Sequence, residues 1–173
     1  MSVKRPTVAG DERDLSYTDK LSGRQLAFTP TTDEAVVTFH RPPSETDIGS
    51  AMASTPLAIS EGYNPKRGFA AVQVADAEDI SVATQPLLRR PEVANALPTM
   101  IDADGLKRHF LPDELTVQFR PEVGKDEAER IIGQHGSWVI AEQRTPGYYT
   151  IAVPEGGGLF ETIRQFAAVP EVA

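Results

Sequence analysis

The sequence predicts an α+β fold made of two homologous units in tandem, each with the element order β-α-β-β-α-β and each preceded by a β-hairpin. Two observations predict it: the chain contains an internal repeat, and both copies of the repeat carry the same succession of hydrophobic patterns. A length of 173 residues suits one ordinary domain or two small ones, and the repeat favours two.

The repeat consists of short matching segments that occur in the same order in both halves. The letters PEVA stand at 91–94 and again at 170–173, which is 79 residues further on. Upstream of them, EAVVTFHRP at 34–42 matches ELTVQFRP at 114–121. The repeat predicts three parts: a disordered N-terminal segment over 1–14, a first unit over 15–98, and a second unit over 99–173 whose last strand is truncated.

Each unit is preceded by a predicted β-hairpin. In the second copy, the pair Asp104 and Gly105 is typical of a tight turn between strands over 98–101 and 107–110. In the first copy, Gly23 occupies the corresponding place. The hairpins are therefore part of the repeat.

The first strand and the first helix of each unit follow from hydrophobic periodicity. Apolar residues alternate over 36–39 and over 115–119, as they do in a half-buried strand. The segments 44–54 and 124–135 have helical character, and in the latter three apolar residues share one face at helical spacing. We expect a strand followed by a helix in each unit.

Two further strands, a second helix and a closing strand complete each unit. The strands are predicted over 57–61 and 69–75 in the first copy, and over 138–143 and 148–153 in the second. The helices are predicted over 79–89 and 159–167, and the closing strands begin at PEVA. This order is the ferredoxin-like, split βαβ arrangement, in which two helices cover one face of a four-stranded antiparallel sheet. The other face has no helix in this sequence to cover it.

Composition excludes several classes of function. The chain has no cysteine, which excludes disulfides, thiol catalysis and zinc knuckles. Its three histidines have no metal-ligand spacing, so we expect no metal and no cofactor. The net charge of −8 disfavours nucleic acid as a partner. No apolar run approaches the ~20 residues of a membrane span, and no secretory signal is seen at the start, so we expect a cytoplasmic protein without a membrane partner.

One segment is similar to a protease active-site motif. Residues 49–56, GSAMASTP, resemble the nucleophile motif of subtilisin-like proteases, but Ala51 occupies the position of the nucleophile. The matching aspartate and histidine motifs are missing, and a catalytic triad needs all three groups. We therefore expect a helix here and no enzymatic activity. The acidic pairs at 33–34 and 113–114 are expected to be solvated, and the glycines at 156–158 to form a flexible turn.

A family resemblance is carried by three segments of the second copy. These are LPDELTVQFRP at 111–121, TPGYYTIAVP at 145–154 and AVPEVA at 168–173. They resemble the N-terminal prodomains of subtilisin-like serine proteases, especially the fervidolysin-like group. The resemblance covers 99–173, and 15–98 joins it mainly through the repeat. It implies a non-catalytic chaperone and inhibitor whose partner is a protease catalytic domain, in cis or in trans.

The resemblance also implies an interface on the open face of the second sheet. If Leu115, Val117 and Phe119 face the helices, the alternation of a strand directs the residues between them towards the partner. The same argument applies to the strand over 148–153, where tyrosine would be a suitable interface anchor. The closing segment would lead towards the protease cleft. The predicted protease-interface residues are Thr116, Gln118, Tyr148, Thr150, Glu171, Val172 and Ala173.

Two alternative functions stay open at the level of sequence, because a ferredoxin-like fold hosts many functions. The first is a small-molecule-binding regulatory module, since tandem ferredoxin-like domains of the ACT type bind amino acids between paired sheets. The second is a structural interaction domain that has no protease partner.

Overall fold

A computed structural model describes residues 14–41, 44–60, 68–75 and 79–173. The chain divides into two compact units. Within the described residues, the first contains 28–112 and the second contains 14–27 together with 113–173. The predicted boundary between 98 and 99 differs from this division, because residues 93–101 form one uninterrupted strand. The predicted disordered segment, 1–14, lies outside the described residues except for Asp14.

The described residues form ten strands and five helices, numbered in chain order. The second unit begins with β1 (Ser16–Thr18) and β2 (Gln25–Ala27). The first unit contains β3 (Thr29–Phe39), α1 (Glu45–Met52), β4 (Leu57–Ile59), β5 (Phe69–Val74), α2 (Ile80–Ala83), α3 (Gln85–Leu88), β6 (Val93–Ile101) and β7 (Lys107–Arg108). The second unit continues with β8 (Glu114–Gln118), α4 (Lys125–Gln134), β9 (Val139–Glu142), β10 (Tyr148–Ala152) and α5 (Leu159–Ala167). The expected α+β class is confirmed.

The first unit is built on an antiparallel sheet with the strand order β4-β5-β3-β6-β7. Side chains alternate along β3, so that Ala35 and Val37 pack into one core with residues of α1, α2 and α3. α1 begins at a capping box: the Ser44 hydroxyl accepts from the Asp47 amide, and the Asp47 carboxylate accepts from the Ser44 amide. Because all three helices pack against the same core, they lie on one face of this sheet.

The second unit is built on a three-stranded antiparallel sheet with the order β8-β10-β9. Val117 and Tyr149 from the strands form a core with Ile131 and Ile132 of α4 and with Phe166 of α5. The hairpin of β1 and β2 belongs to this unit, where Tyr17 lies beside Phe160 of α5 with ring centroids 6.4 Å apart.

Equivalent residues of the repeat make equivalent contacts in the two units. Phe39 pairs with Val93 at the end of β3, and Phe119 pairs with Val172 in the same antiparallel sense just after β8. The next amide in each case donates to the backbone carbonyl of the glutamate of PEVA. These bonds run from His40 to Glu92 (3.0 Å) and from Arg120 to Glu171 (2.9 Å). The matching segments of the sequence thus make the same two contacts in both units.

One predicted helix is broken in two. The segment 79–89 forms α2 and α3, which are separated at Thr84. Pro86 lacks the amide that would continue the helical hydrogen bonds back to Val82, so a single helix cannot pass through this point. The segment between the strands predicted over 57–61 and 69–75 lies largely outside the described residues, which resume at Gly68.

Both predicted hairpins are confirmed. Gly23 and Gly105 have φ angles of 66° and 78°, a left-handed conformation that glycine adopts without strain. In the second hairpin Met100 of β6 pairs with Arg108 of β7. Each hairpin belongs to a different unit from the one that the sequence repeat suggested: residues 14–27 belong to the second unit, and β6 and β7 belong to the first.

Candidate functional site

The sheet face opposite α4 and α5 in the second unit brings together four of the predicted interface residues. Thr116 of β8 lies directly across from Thr150 of β10, and Gln118 lies across from Tyr148. Their neighbours Val117 and Tyr149 point into the core, so the four side chains point to the other face. Thr116 is exposed, Gln118 and Tyr148 are half-buried and Thr150 is buried.

Thr150 is held in place by a hydrogen bond from the side chain of Gln143, the residue that follows β9. The Gln143 amide Nε2 donates to Thr150 Oγ1 at 2.6 Å. This bond uses the hydroxyl as an acceptor and holds Gln143 over the middle of the face. Thr150 is therefore a supporting residue, and Thr116 is the more accessible member of this pair.

The sequence prediction missed two large apolar side chains on β9 and beside it. Trp138 is 55% exposed and Ile140 is 49% exposed. Val139, between them, packs against the core, which places Trp138 on the same face as Thr150. The register between β9 and β10 shifts next to Val139. Two residues of β9, Ile140 and Ala141, therefore lie opposite the single residue Thr150 of β10, as in a β-bulge.

The carboxylate of Glu142, in β9, is directed to the helix side of the sheet. Glu142 pairs with Tyr149 in the sheet register and accepts a hydrogen bond from Lys125 Nζ at 2.8 Å. Burial and the nearby Glu142 carboxylate raise the pKa of Tyr149, against the effect of Lys125. On the opposite face, Glu114 lies at the start of β8, opposite Ala152, where burial and the neighbouring Asp113 carboxylate raise its pKa. The face has seven uncharged residues besides: Trp138, Ile140, Ala141, Thr116, Gln118, Tyr148 and Thr150. We call these seven residues the open face.

The remaining predicted interface residues lie at the β8 edge of the sheet. Val172 is buried in the core opposite Phe119. On either side of it, Glu171 accepts from the Arg120 amide, and the Ala173 amide donates to the Gln118 carbonyl at 2.8 Å. The structure thus separates these three residues from the open face and joins them to the end of β8.

A second polar cluster lies in the first unit, and it corrects the expectation that Glu34 is solvated. Glu34 is 7% exposed, and its carboxylate lies 2.8 Å from His109 Nε2 and 3.9 Å from Lys107 Nζ. Burial raises the pKa of Glu34, but the bond with His109, the hydroxyls of Thr99 and Ser60 and the charge of Lys107 together lower it below its ordinary value. Residues 31–34 form a bulge between two paired parts of β3, which turns Glu34 inward.

The other segments that carried candidate chemistry lie in ordinary structural positions. Residues 49–52 form the end of α1, with Ala51 and Met52 in the core. Gly158 is the N-cap of α5. Within the described ranges, no three metal-ligating side chains come together, and none of the helices has the length and apolar character of a transmembrane helix.

The fold and the open face define the class of this protein: an α+β chain of two antiparallel-sheet units, one of which exposes apolar side chains on a sheet face. No protein-family model, curated protein or solved structure matches the chain. Its function is therefore inferred from the physical chemistry of the open face and from the resemblance carried by its sequence motifs.

Proposed function

We propose that this chain is the prodomain of a subtilisin-like serine protease, acting as its intramolecular chaperone and inhibitor and having no catalytic activity of its own. The partner is the protease catalytic domain, in cis or in trans. The proposal combines the motifs at 111–121, 145–154 and 168–173 with the surface that the second unit exposes.

The arrangement of both units supports the proposal. Strands occur in the order β4-β5-β3-β6 in the first unit and β9-β10-β8 in the second, where Val172 stands beside Phe119 in the place of a fourth strand. With the helices on one face of each sheet, this is the arrangement expected of two ferredoxin-like units.

The observation that carries the proposal is the exposed apolar character of the open face. Trp138 and Ile140 are about half-exposed on the same sheet face as Tyr148 and Thr116, on a chain whose net charge is −8. Aromatic and aliphatic side chains rimmed by neutral polar groups are typical of the cores of protein interfaces. A unit of this size buries only about 60% of its unfolded surface, so docking to a protease would add stability that the unit lacks alone.

The experiment measures inhibition of a mature subtilisin-like protease by the whole chain and by its Trp138→Ala variant. We expect the chain to inhibit the protease and the variant to inhibit it at least ten times more weakly, because truncating an aromatic anchor of an interface costs about 2 kcal/mol or more. Tyr148→Ala should weaken inhibition in the same direction.

Val82→Ala is the matched control, because Val82 is an apolar residue of the first unit with an exposure similar to that of Trp138, 63% against 55%. Its inhibition constant should equal that of the unchanged chain. A chain that fails to inhibit, or a Trp138→Ala variant that inhibits undiminished, would contradict the proposal.

A further inference from the structure

The closing segment of the second unit, residues 169–173, is held on two sides. On one side it pairs with the end of β8: Val172 stands opposite Phe119, flanked by the bonds of Glu171 and Ala173. In an antiparallel pair, a residue between two such bonds directs its own amide and carbonyl away from the partner strand. The Val172 carbonyl therefore lies on the outer edge of the segment.

A lysine from the hairpin of β1 and β2 occupies that outer edge. Lys20 Nζ donates to the Val172 carbonyl and also to the Val169 carbonyl, the latter at 2.6 Å. Desolvation lowers the pKa of Lys20, and the nearby Arg120 lowers it further while Glu171 raises it. An ammonium at this position also interacts favourably with the carbonyl end of α5, which finishes at Ala167.

The other end of the hairpin is fastened to the same helix. Arg164 of α5 donates from Nη1 to the carbonyls of Asp14 and Ser16, both at 2.8 Å, and lies 3.5 Å from the Asp14 carboxylate. Tyr17 packs beside Phe160 between these two attachments. The hairpin is thus fixed at its base by Arg164 and at its turn by Lys20.

We propose that the hairpin is a releasable clasp, which holds residues 169–173 beside β8 and competes with a protease cleft for the same backbone edge. This inference rests on the proposed function. An extended peptide enters a cleft by offering its backbone edge to hydrogen bonds. While Lys20 occupies the Val172 carbonyl, that acceptor is closed to a partner, and opening the clasp exposes it. The Val172 amide, which donates to the Val169 carbonyl, is not released by this step alone.

The test compares amide hydrogen exchange in the whole chain and in its Lys20→Met variant, which keeps the length of the side chain and removes the ammonium. We expect the amides of Ala173 and Arg120, which join the segment to β8, to exchange about tenfold faster in the variant. The amide of Ile151, in the middle of the sheet, should be unchanged. Lys125→Met, which removes an exposed lysine of the same unit, is the control and should alter neither.

Inhibition of a subtilisin-like protease is measured on the same proteins. We expect the Lys20→Met variant to inhibit several-fold more strongly, because its closing segment is free to enter the cleft. Unchanged exchange at Ala173 would overturn the clasp and leave the proposed function standing. So would a loss of protection that spreads to Ile151, because Lys20 would then support the whole unit.

A wrong proposed function would give a different combination of exchange and inhibition results. If exchange at Ala173 rises but neither protein inhibits, the hairpin restrains the segment and the prodomain function is wrong. If both inhibit equally, the segment is restrained but does not compete with the cleft, and the regulatory part of the proposal is overturned.

Discussion

Among the glycines with a positive φ in the described part of the chain, Gly147 has the least room for a side chain. It has a φ angle of 83°, and a Cβ atom there would lie 3.0 Å from the Phe119 carbonyl oxygen. A left-handed conformation costs an L-residue roughly 1–2 kcal/mol, and the contact with a backbone oxygen adds to it. We expect Gly147→Ala to lower the free energy of unfolding by about 2 kcal/mol or more in urea titrations followed by circular dichroism.

Gly105→Ala separates the two contributions to this cost. Gly105 has a similar φ of 78°, but a Cβ atom added there meets nothing within 4 Å. The free energy of unfolding of the Gly105→Ala variant should fall only by the conformational cost, about 1 kcal/mol. Equal losses at the two glycines would mean that the Phe119 carbonyl moves away without cost.

At the scale of elements, Glu34 links the bulge of β3 to the strand pair of β6 and β7. The folded pKa of Glu34 lies below its ordinary value, so its carboxylate stabilises the first unit above the unfolded pKa. That stabilisation is lost as the pH falls through the lower, folded pKa. We expect Glu34→Gln to cost about 1–3 kcal/mol at pH 7 and clearly less at about pH 3, measured by urea unfolding.

Asp33→Asn is the matched control for this prediction. Asp33 lies 3.3 Å from Lys107 Nζ but is largely exposed, and exposed ion pairs contribute about 0–1 kcal/mol. Its effect should be small at both pH values. A Glu34→Gln variant whose cost does not depend on pH would show that the shape of the side chain, and not its charge, stabilises the bulge.

Elements whose pattern is local could be predicted from the sequence, and elements that depend on distant partners could not. α5 has the predicted bounds, because its apolar residues recur at helical spacing. The burial of Glu34 depends on His109, which is 75 residues away in the sequence. On the open face, strand alternation places Thr116 and Tyr148, but the register shift at Ile140 breaks that alternation and leaves no mark in the hydrophobic pattern.

At the scale of the whole molecule, the boundaries of the two compact units do not coincide with the boundaries of the two sequence repeats. Residues 14–27 fold with 113–173, whereas the strand that crosses the boundary of the repeat belongs to the first unit. The second repeat alone, 99–173, therefore lacks Lys20 and begins within a strand. We expect this fragment to give a poorly dispersed amide NMR spectrum without cooperative thermal unfolding.

The fragment 28–112 is the comparison, because it retains every described element of the first unit. It should fold cooperatively by itself. A well-dispersed spectrum from 99–173, with a protected Ala173 amide, would show that the hairpin of β1 and β2 is dispensable for the second unit.

Trp138 is the only tryptophan of the chain, and more than half of its surface is open to water. All of the intrinsic indole fluorescence therefore originates on the open face. When a partner covers this face, the emission should shift to shorter wavelength, and a quencher such as iodide should lose its access. The chain thus carries its own optical probe, which reports occupancy of the open face without any attached label.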